Sequence, residues 1–312
     1  MPTSLTPGTN IPMRSTELKA RLGLVVAIYG RRISVLSDTG ELVECLSRKR
    51  SLRPVVGDSV RWEPRREDTS LVHDIEPRRN VFARPMPGRR ERPIAANLDY
   101  LVLVIAPVPP TTDQELDRYL VTTEHIGVEA ILVFNKRDLE THATDVRERV
   151  ARYQALDYPV FETSVETGDG IEDLARHLAG QTCIFVGQSG VGKSSLVNAL
   201  LPQEDVTVGA LAHHGRYGRH TTSTTTLYPM RQGGWIVDSP GVREFGLWRL
   251  APSELDEGYR EFRSPADHCR FRDCTHRDEP DCAVRSDVAS GRIDARRYDT
   301  YLALLSVLEA DR

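Results

Sequence analysis

Short apolar segments interrupted by turns characterise residues 22–82. Leu24–Ile28, Ile33–Leu36 and Val60–Trp62 are such segments, and Gly, Asp and Pro residues separate them. Short strands joined by turns of this composition are typical of a small β-barrel. We therefore predict an N-terminal barrel.

The spacing of apolar residues changes after residue 98. Continuous apolar segments at Leu101–Ile105, Ala130–Phe134 and Cys183–Val186 alternate with stretches of helical periodicity, such as Asp113–Ile126. Strands that are buried on both faces have such unbroken apolar sequences. The alternation predicts a doubly wound α/β sheet, and Trp235–Asp238 is its last predicted strand.

These patterns give a multidomain α/β protein. The predicted boundaries are 1–20 for a disordered tail, 21–83 for the barrel, 84–97 for a basic, extended linker, 98–249 for the α/β domain and 250–312 for a helical C-terminal domain.

Charge is distributed unevenly along the chain. The first 97 residues carry 18 Lys and Arg against 11 Asp and Glu, whereas the whole chain has a net charge of −4. A basic N-terminal third on an acidic chain indicates a domain that faces a polyanion. Because the sequence shows neither a secretory signal nor an apolar run that spans a bilayer, we expect a cytoplasmic protein with reduced thiols and no membrane partner.

A phosphate-binding loop follows the apolar segment Cys183–Val186. The sequence from Gly187 to Ser194 matches G-x-x-x-x-G-K-[ST] and opens a predicted helix, which is the context that the motif requires. Backbone N–H groups would surround the phosphates, the lysine would reach the β- and γ-phosphates, and Ser194 would bind Mg²⁺. The predicted nucleotide contacts are Gly187, Gln188, Ser189, Gly190, Val191, Gly192, Lys193, Ser194 and Ser195.

A guanine-reading motif precedes this loop in the chain. The tetrapeptide Asn135, Lys136, Arg137 and Asp138 matches N-K-x-D and follows a predicted buried strand. A carboxylate at Asp138 accepts two hydrogen bonds from guanine, and adenine has no such pair of donors, so the motif predicts selection of GTP. At the end of the next strand, Ser164 and Val165 are expected to approach the guanine oxygen.

Two further segments have the pattern of switch elements. Asp238 and Gly241 fit D-x-x-G, in which the aspartate holds Mg²⁺ and the glycine N–H contacts the γ-phosphate. Val242 stands where many GTPases place a glutamine that orients water. We therefore expect slow intrinsic hydrolysis that depends on a partner.

The Thr-rich segment 218–226 provides the other switch. Thr222, or alternatively the neighbouring Thr221, is expected to bind Mg²⁺. His220 is a candidate for positioning the attacking water, although an exposed loop histidine without a catalytic role explains the same residue. The predicted catalytic set is His220, Thr222, Lys193, Asp238 and Gly241.

Three cysteines and a histidine cluster in the C-terminal domain. Cys269, Cys274, His276 and Cys282 form a closed tetrahedral ligand set for a structural Zn²⁺. His268 is a competing ligand with poorer spacing.

The order N-K-R-D, G-Q-S-G-V-G-K-S-S, R-H-T-T, D-S-P-G-V-R-E-F-G and C-x4-C-x-H-x5-C resembles the circularly permuted RsgA/YjeQ GTPases over almost the whole chain. This resemblance implies an N-terminal OB-fold barrel, a permuted P-loop GTPase domain and a C-terminal zinc domain. It also implies a monomer that binds the small (30S) ribosomal subunit and its rRNA, not DNA. Such a protein assists late subunit maturation and hydrolyses GTP when the ribosome stimulates it.

Two other functions fit the same motifs. One is a GTP-gated rRNA-binding switch with negligible hydrolysis, and the other is a permuted GTPase that acts on the large subunit.

We further expect the barrel to lie on the guanine-binding side of the GTPase domain, because it precedes the guanine-reading motif in the chain.

Overall fold

The computed structural model describes residues 20–49, 51–65, 69–86, 90–139, 143–202, 225–239 and 250–310. Outside these residues lie 1–19 of the predicted tail, the catalytic candidates His220, Thr222 and Gly241, and also Thr221 and Val242. None of the described helices is long and apolar enough to cross a membrane.

Five strands close the N-terminal barrel, as predicted. They are β1 (Arg21–Tyr29), β2 (Arg32–Ser37), β3 (Leu42–Ser47), β4 (Ser59–Glu63) and β5 (Ser70–Ile75). Their order is β1-β2-β3-β5-β4, and a β1–β4 pairing closes the ring, which gives an OB-fold. The apolar core includes Val25, Val35, Val60 and Trp62, which alternate with outward-facing residues along their strands.

A β-hairpin occupies most of the region expected to be an extended linker. Strands β6 (Val81–Met86) and β7 (Arg90–Ala96) pair in antiparallel register. Buried Phe82, Ile94 and Ala95 join the hydrophobic core of the following domain. Because prolines and arginines dominate this stretch, its pairing was not evident from the sequence.

The α/β domain is built on a mostly parallel sheet. Its strands are β8 (Tyr100–Ile105), β9 (Glu129–Phe134), β10 (Val160–Glu162), β11 (Thr182–Val186), β12 (Thr226–Pro229) and β13 (Trp235–Asp238). Their order is β10-β9-β8-β11-β13-β12, and only β12 runs antiparallel to its neighbour within this domain. The carboxyl ends of the parallel strands therefore meet at one edge, where α/β sheets bind ligands.

Helices cover both faces of this sheet and continue into the C-terminal domain. They are α1 (Asp113–Ile126), α2 (Ala143–Gln154), α3 (Ile171–His177), α4 (Lys193–Leu200), α5 (Arg260–Ala266), α6 (Ala283–Ala289) and α7 (Ala295–Ala310). Helix α1 begins with a capping box, in which Thr112 and Glu115 satisfy each other's backbone N–H groups. The predicted bounds of α1 match the structure.

The barrel and the sheet of the α/β domain form one continuous eleven-stranded sheet. Strand β1 pairs with β12 at Ala27 and Thr226, so the barrel adjoins the sheet edge opposite β9 and β10. The expectation that the barrel lies on the guanine-binding side is therefore wrong. Order along the chain gave the wrong expectation, since the barrel joins the α/β domain through a strand that comes almost 200 residues later.

A buried ion network holds the C-terminal domain on α1. The Arg297 guanidinium of α7 contacts Asp117 of α1 and donates to Glu261 of α5 at 2.6 Å. Tyr153 of α2 donates its hydroxyl to Asp117 at 2.8 Å. Burial alone lowers the pKa of Arg297, but the two carboxylates raise it well above its usual range. The arginine is thus a permanent cation between two carboxylates, and replacing it would leave both carboxylates buried without their cation.

Apolar packing extends the same interface. Val121 of α1 lies in the hydrophobic core of the C-terminal domain, together with Tyr259, Phe262 and Tyr301. A Cβ atom on Gly258 would lie 2.5 Å from Val121 Cγ1, so only glycine allows this approach.

Replacing Gly258 with Ala should lower the free energy of unfolding by about 1–3 kcal/mol, because the added methyl overpacks a closed interface. Urea unfolding would measure the loss. A V121A change in the same background should recover part of it by removing the clashing methyl groups. If the two changes destabilise additively, Gly258 and Val121 do not contact each other as described.

Candidate guanine-nucleotide and metal sites

The guanine-reading loop lies at the carboxyl end of β9. Asn135 is buried, whereas Asp138 is exposed at the loop surface. Lys136 has a positive φ of 60°, which turns the chain sharply after the strand. The loop is further held by the Arg137 N–H, which donates to the Thr163 carbonyl at 3.1 Å.

The guanine-reading and phosphate-binding loops contact each other directly. The Asn135 side-chain amide donates to the Val191 carbonyl at 2.9 Å. A Cβ atom on Gly192 would lie 2.3 Å from the same amide nitrogen, so glycine is required there for the loops to meet. Lys136 Nζ donates to the carbonyls of Gly190 at 2.6 Å and Val108 at 2.8 Å. The two loops thus lie side by side despite their reversed order in the chain.

Hydroxyl groups from the loop after β10 hold the polar atoms of the guanine-reading loop in place. Ser164 Oγ donates to Asp138 Oδ1 at 2.5 Å, and Thr163 Oγ1 donates to Asn135 Oδ1 at 3.1 Å. Both hydroxyl residues are fully buried, and Val165 is exposed beside them. Sequence reasoning selected Ser164 for a backbone contact with guanine and missed its role in orienting the carboxylate. In the sequence, its place two residues after β10 marks a loop residue and gives no sign of the contact with Asp138.

The phosphate-binding loop begins at a buried glycine and is exposed at its mouth. Gly187 is buried with a φ of 134°, and a Cβ there would lie 2.3 Å from the Val104 carbonyl of β8. The residues at the mouth of the loop are exposed: Gln188, Ser189, Gly190, Ser194 and Ser195. Lys193 Nζ donates to the Gly187 and Gln188 carbonyls at 2.7 and 2.6 Å. These two hydrogen bonds hold the ammonium group against the first two carbonyl groups of the loop.

Asp238 ends β13 beside this loop. Since β11 and β13 are parallel neighbours, Asp238 and Gly187 leave the sheet at the same edge. Thr226 of β12 lies directly opposite Asp238, and Thr225 Oγ1 donates to Ser239 Oγ at 3.2 Å. The structure therefore brings Lys193, Ser194 and Asp238 to one end of the sheet.

The four predicted zinc ligands converge in the C-terminal domain. Their ligand atoms all lie within 4.8 Å of one another. Cys269 Sγ is 3.8 Å from Cys282 Sγ and 3.6 Å from His276 Nδ1, and Cys282 Sγ is 3.4 Å from the same nitrogen. Tetrahedral Zn²⁺ with bonds of about 2.3 Å to sulfur and 2.0 Å to nitrogen requires separations of about 3.5–3.8 Å. The donor set therefore fits zinc.

Surrounding groups support this donor set. His276 directs Nδ1 toward the thiols, while Nε2 lies 3.4 Å from Asp256 Oδ2, an outer carboxylate of the kind that orients ligating histidines. Burial raises the pKa of the Cys274 thiol to about 12, and a Zn²⁺ ion at this position would bind the group as a thiolate. The competing candidate His268 instead contacts the Ser264 carbonyl with Nδ1.

Comparison with known proteins gives a consistent result. The family model described as RsgA GTPase matches residues 75–248. A protein named "Small ribosomal subunit biogenesis GTPase RsgA" from Hamiltonella defensa is 40% identical over 98% of this chain and 90% of its own length. The protein of the same name from Sodalis glossinidius is 42% identical over 91% of this chain and 84% of its own length.

Solved structures agree with these relatives. YjeQ from Thermotoga maritima matches with a TM-score of 0.80 and 32% identity, covering 94% of this chain and 100% of that one. YloQ, titled a circularly permuted GTPase, matches with a TM-score of 0.76 and 27% identity, covering 96% and 99%. The order of the motifs and the shared architecture agree, and the chain belongs to the RsgA GTPase family.

Proposed function

We propose that the protein hydrolyses GTP while bound to the small ribosomal subunit and thereby assists late maturation of that subunit. The observation that carries the nucleotide chemistry is the hydrogen bond from Asn135 to Val191, which joins the base reader to the phosphate loop. The ribosomal partner is supported by the names of relatives that are similar over most of their length.

In the proposed pocket, Asp138 accepts hydrogen bonds from the guanine N1 and N2 groups, and Ser164 fixes the orientation of the carboxylate. Exclusion of ATP follows because adenine would leave the carboxylate without donors. Arg137 and Val165 flank the base, and the stem of Lys136 lies along its ring face.

For hydrolysis, Lys193 and the N–H groups of the phosphate loop would stabilise negative charge on the phosphates while water attacks the γ-phosphate. Ser194, Asp238 and Thr222 would hold Mg²⁺, which when bound neutralises charge that develops on the phosphate oxygens. Gly241 would contact the γ-phosphate, and His220 would position the water. Thr222, Gly241 and His220 are assigned from the sequence motifs.

The flanking domains would bind rRNA. The barrel belongs to the basic N-terminal third of the chain, and OB-folds commonly bind oligonucleotides. The C-terminal domain would hold one structural Zn²⁺ through Cys269, Cys274, His276 and Cys282. We further propose a cytoplasmic monomer whose functional units are residues 21–83, 98–249 and 250–312, with most of the hairpin between the first two.

Asp138→Asn should weaken GTP binding by at least about 100-fold and shift preference toward xanthosine nucleotides, since the amide presents a donor where guanine also has donors. Titration with fluorescent GDP and XDP would measure both affinities. Asp173→Asn, an exposed carboxylate on α3 that pairs with Arg176, is the matched control. Unchanged base selectivity in Asp138→Asn would remove this residue from the base-reading role.

Cys274→Ser should release zinc and destabilise the C-terminal domain, because binding free energy at a structural site is folding free energy. Metal analysis of the purified chain should find about one zinc per wild-type molecule and almost none in the variant. Cys45→Ser, a buried thiol in the barrel core, should cost stability and keep the zinc. A wild-type protein without zinc would contradict the assignment.

Small ribosomal subunits should raise the rate of GTP hydrolysis by at least about tenfold, since a partner that orders a water-positioning group supplies a factor of this size or more. Phosphate release with and without purified small subunits measures the effect, with large subunits as the control. Equal rates in all three conditions would contradict the proposal. GTP-dependent docking without phosphate release would instead support the binding-switch alternative.

A further inference from the structure

Strand β1 belongs to two hydrophobic cores. Val25 packs in the barrel core, whereas the next two residues, Val26 and Ala27, pack in the core of the GTPase domain. All three side chains are fully buried. Successive residues of a strand point to opposite faces, so a single strand supports both domains only where its two faces are covered by different cores.

A bulge in β1 lies between the part that pairs with β4 of the barrel and the part that pairs with β12 of the GTPase domain. Residues Arg21–Leu24 of β1 pair with β4 inside the barrel. The register with β2 shifts between Val25 and Ala27, and from there β1 pairs with β12. Bulges bend a strand and increase its twist, which lets β1 leave β4 and meet the edge of the GTPase sheet.

This pairing brings the barrel close to the metal-binding end of β13. Ala27 lies opposite Thr226, and Thr226 lies opposite Asp238, so the three residues stand abreast on adjacent strands. Two strand spacings separate Ala27 from Asp238, a distance of about 10 Å. One residue beyond this row, the hydroxyl contact between Thr225 and Ser239 links β12 to β13.

We propose that Val26 and Ala27 are positioning residues for Asp238, so that a partner bound to the barrel acts on the magnesium site across the β1–β12–β13 pairing. This inference rests on the proposed role of Asp238 in binding Mg²⁺. In this proposal, the barrel is coupled to the magnesium site through the backbone hydrogen bonds between neighbouring strands. The chain that links the barrel to β8 is not required for it.

Adjacent valines provide a matched test. Val26→Ala and Val25→Ala remove the same atoms from equally buried positions. Only Val26 packs in the core of the GTPase domain, whereas Val25 packs in the barrel core. Both variants should lower the melting temperature. Val26→Ala alone should raise the Mg²⁺ concentration for half-maximal GTP hydrolysis by about fivefold or more, the size of a modest coupling between sites.

Hydrogen exchange gives a readout that does not depend on turnover. In the nucleotide-free full-length protein, the Thr226–Tyr228 amides should exchange faster in Val26→Ala and at the wild-type rate in Val25→Ala. If Val26→Ala does not fold, Thr225→Val, which removes only the hydroxyl link to Ser239, should shift the Mg²⁺ requirement in the same direction.

These measurements use the purified chain without ribosomes, so they can fail independently of the proposed ribosomal function. If the two valine variants lose stability alike and neither changes the Mg²⁺ requirement or the exchange of β12, the inference is wrong. A wild-type enzyme that needs no Mg²⁺ would overturn the role of Asp238 and this inference with it.

Discussion

The contact between the Asn135 amide and the Val191 carbonyl is the constraint on which the nucleotide site depends. It joins loops that are 56 residues apart, and it forms because β8, β9 and β11 end at the same edge of one parallel sheet. Pocket chemistry follows from which strand ends are neighbours and is independent of their order along the chain. Circular permutation therefore preserves the site, and it changes which domains are joined to the two ends of the GTPase domain.

The flanking domains attach at different places on the GTPase domain. The barrel continues the sheet through β12, next to the strand of Asp238. The C-terminal domain instead packs on α1, where Arg297 and Asp117 form a buried ion pair. Through this pair and the apolar packing of Val121, the C-terminal domain is fixed on the GTPase domain. Its surface is thus presented to a partner in a defined orientation.

Local motifs allowed much of the architecture to be predicted. The phosphate loop, the guanine reader and the zinc ligands each lie within a short stretch whose spacing reflects its chemistry, and the structure brings each set together. The long apolar strands of the parallel sheet were equally clear, since burial on both faces leaves an unbroken apolar sequence.

Long-range pairing was less accessible to sequence reasoning. Strand β12 is only four residues long, and its partner β1 gives no sign of leaving the barrel. Asp117 and Arg297 are 180 residues apart, and each resembles an ordinary charged residue on a helix surface. The Ser164 hydroxyl follows no pattern of its own. These features depend on which surfaces meet after folding, which periodicity and motif spacing do not specify.

Nucleotide competition on the intact protein is the most direct test of the central claim that the reversed motifs form one guanine-specific pocket. Fluorescent GDP bound to the purified chain would be challenged with unlabelled GTP and ATP. The account predicts that GTP displaces the probe at stoichiometric to micromolar concentrations and that ATP does not displace it even in large excess. Displacement by ATP at concentrations similar to those of GTP would contradict the pocket described.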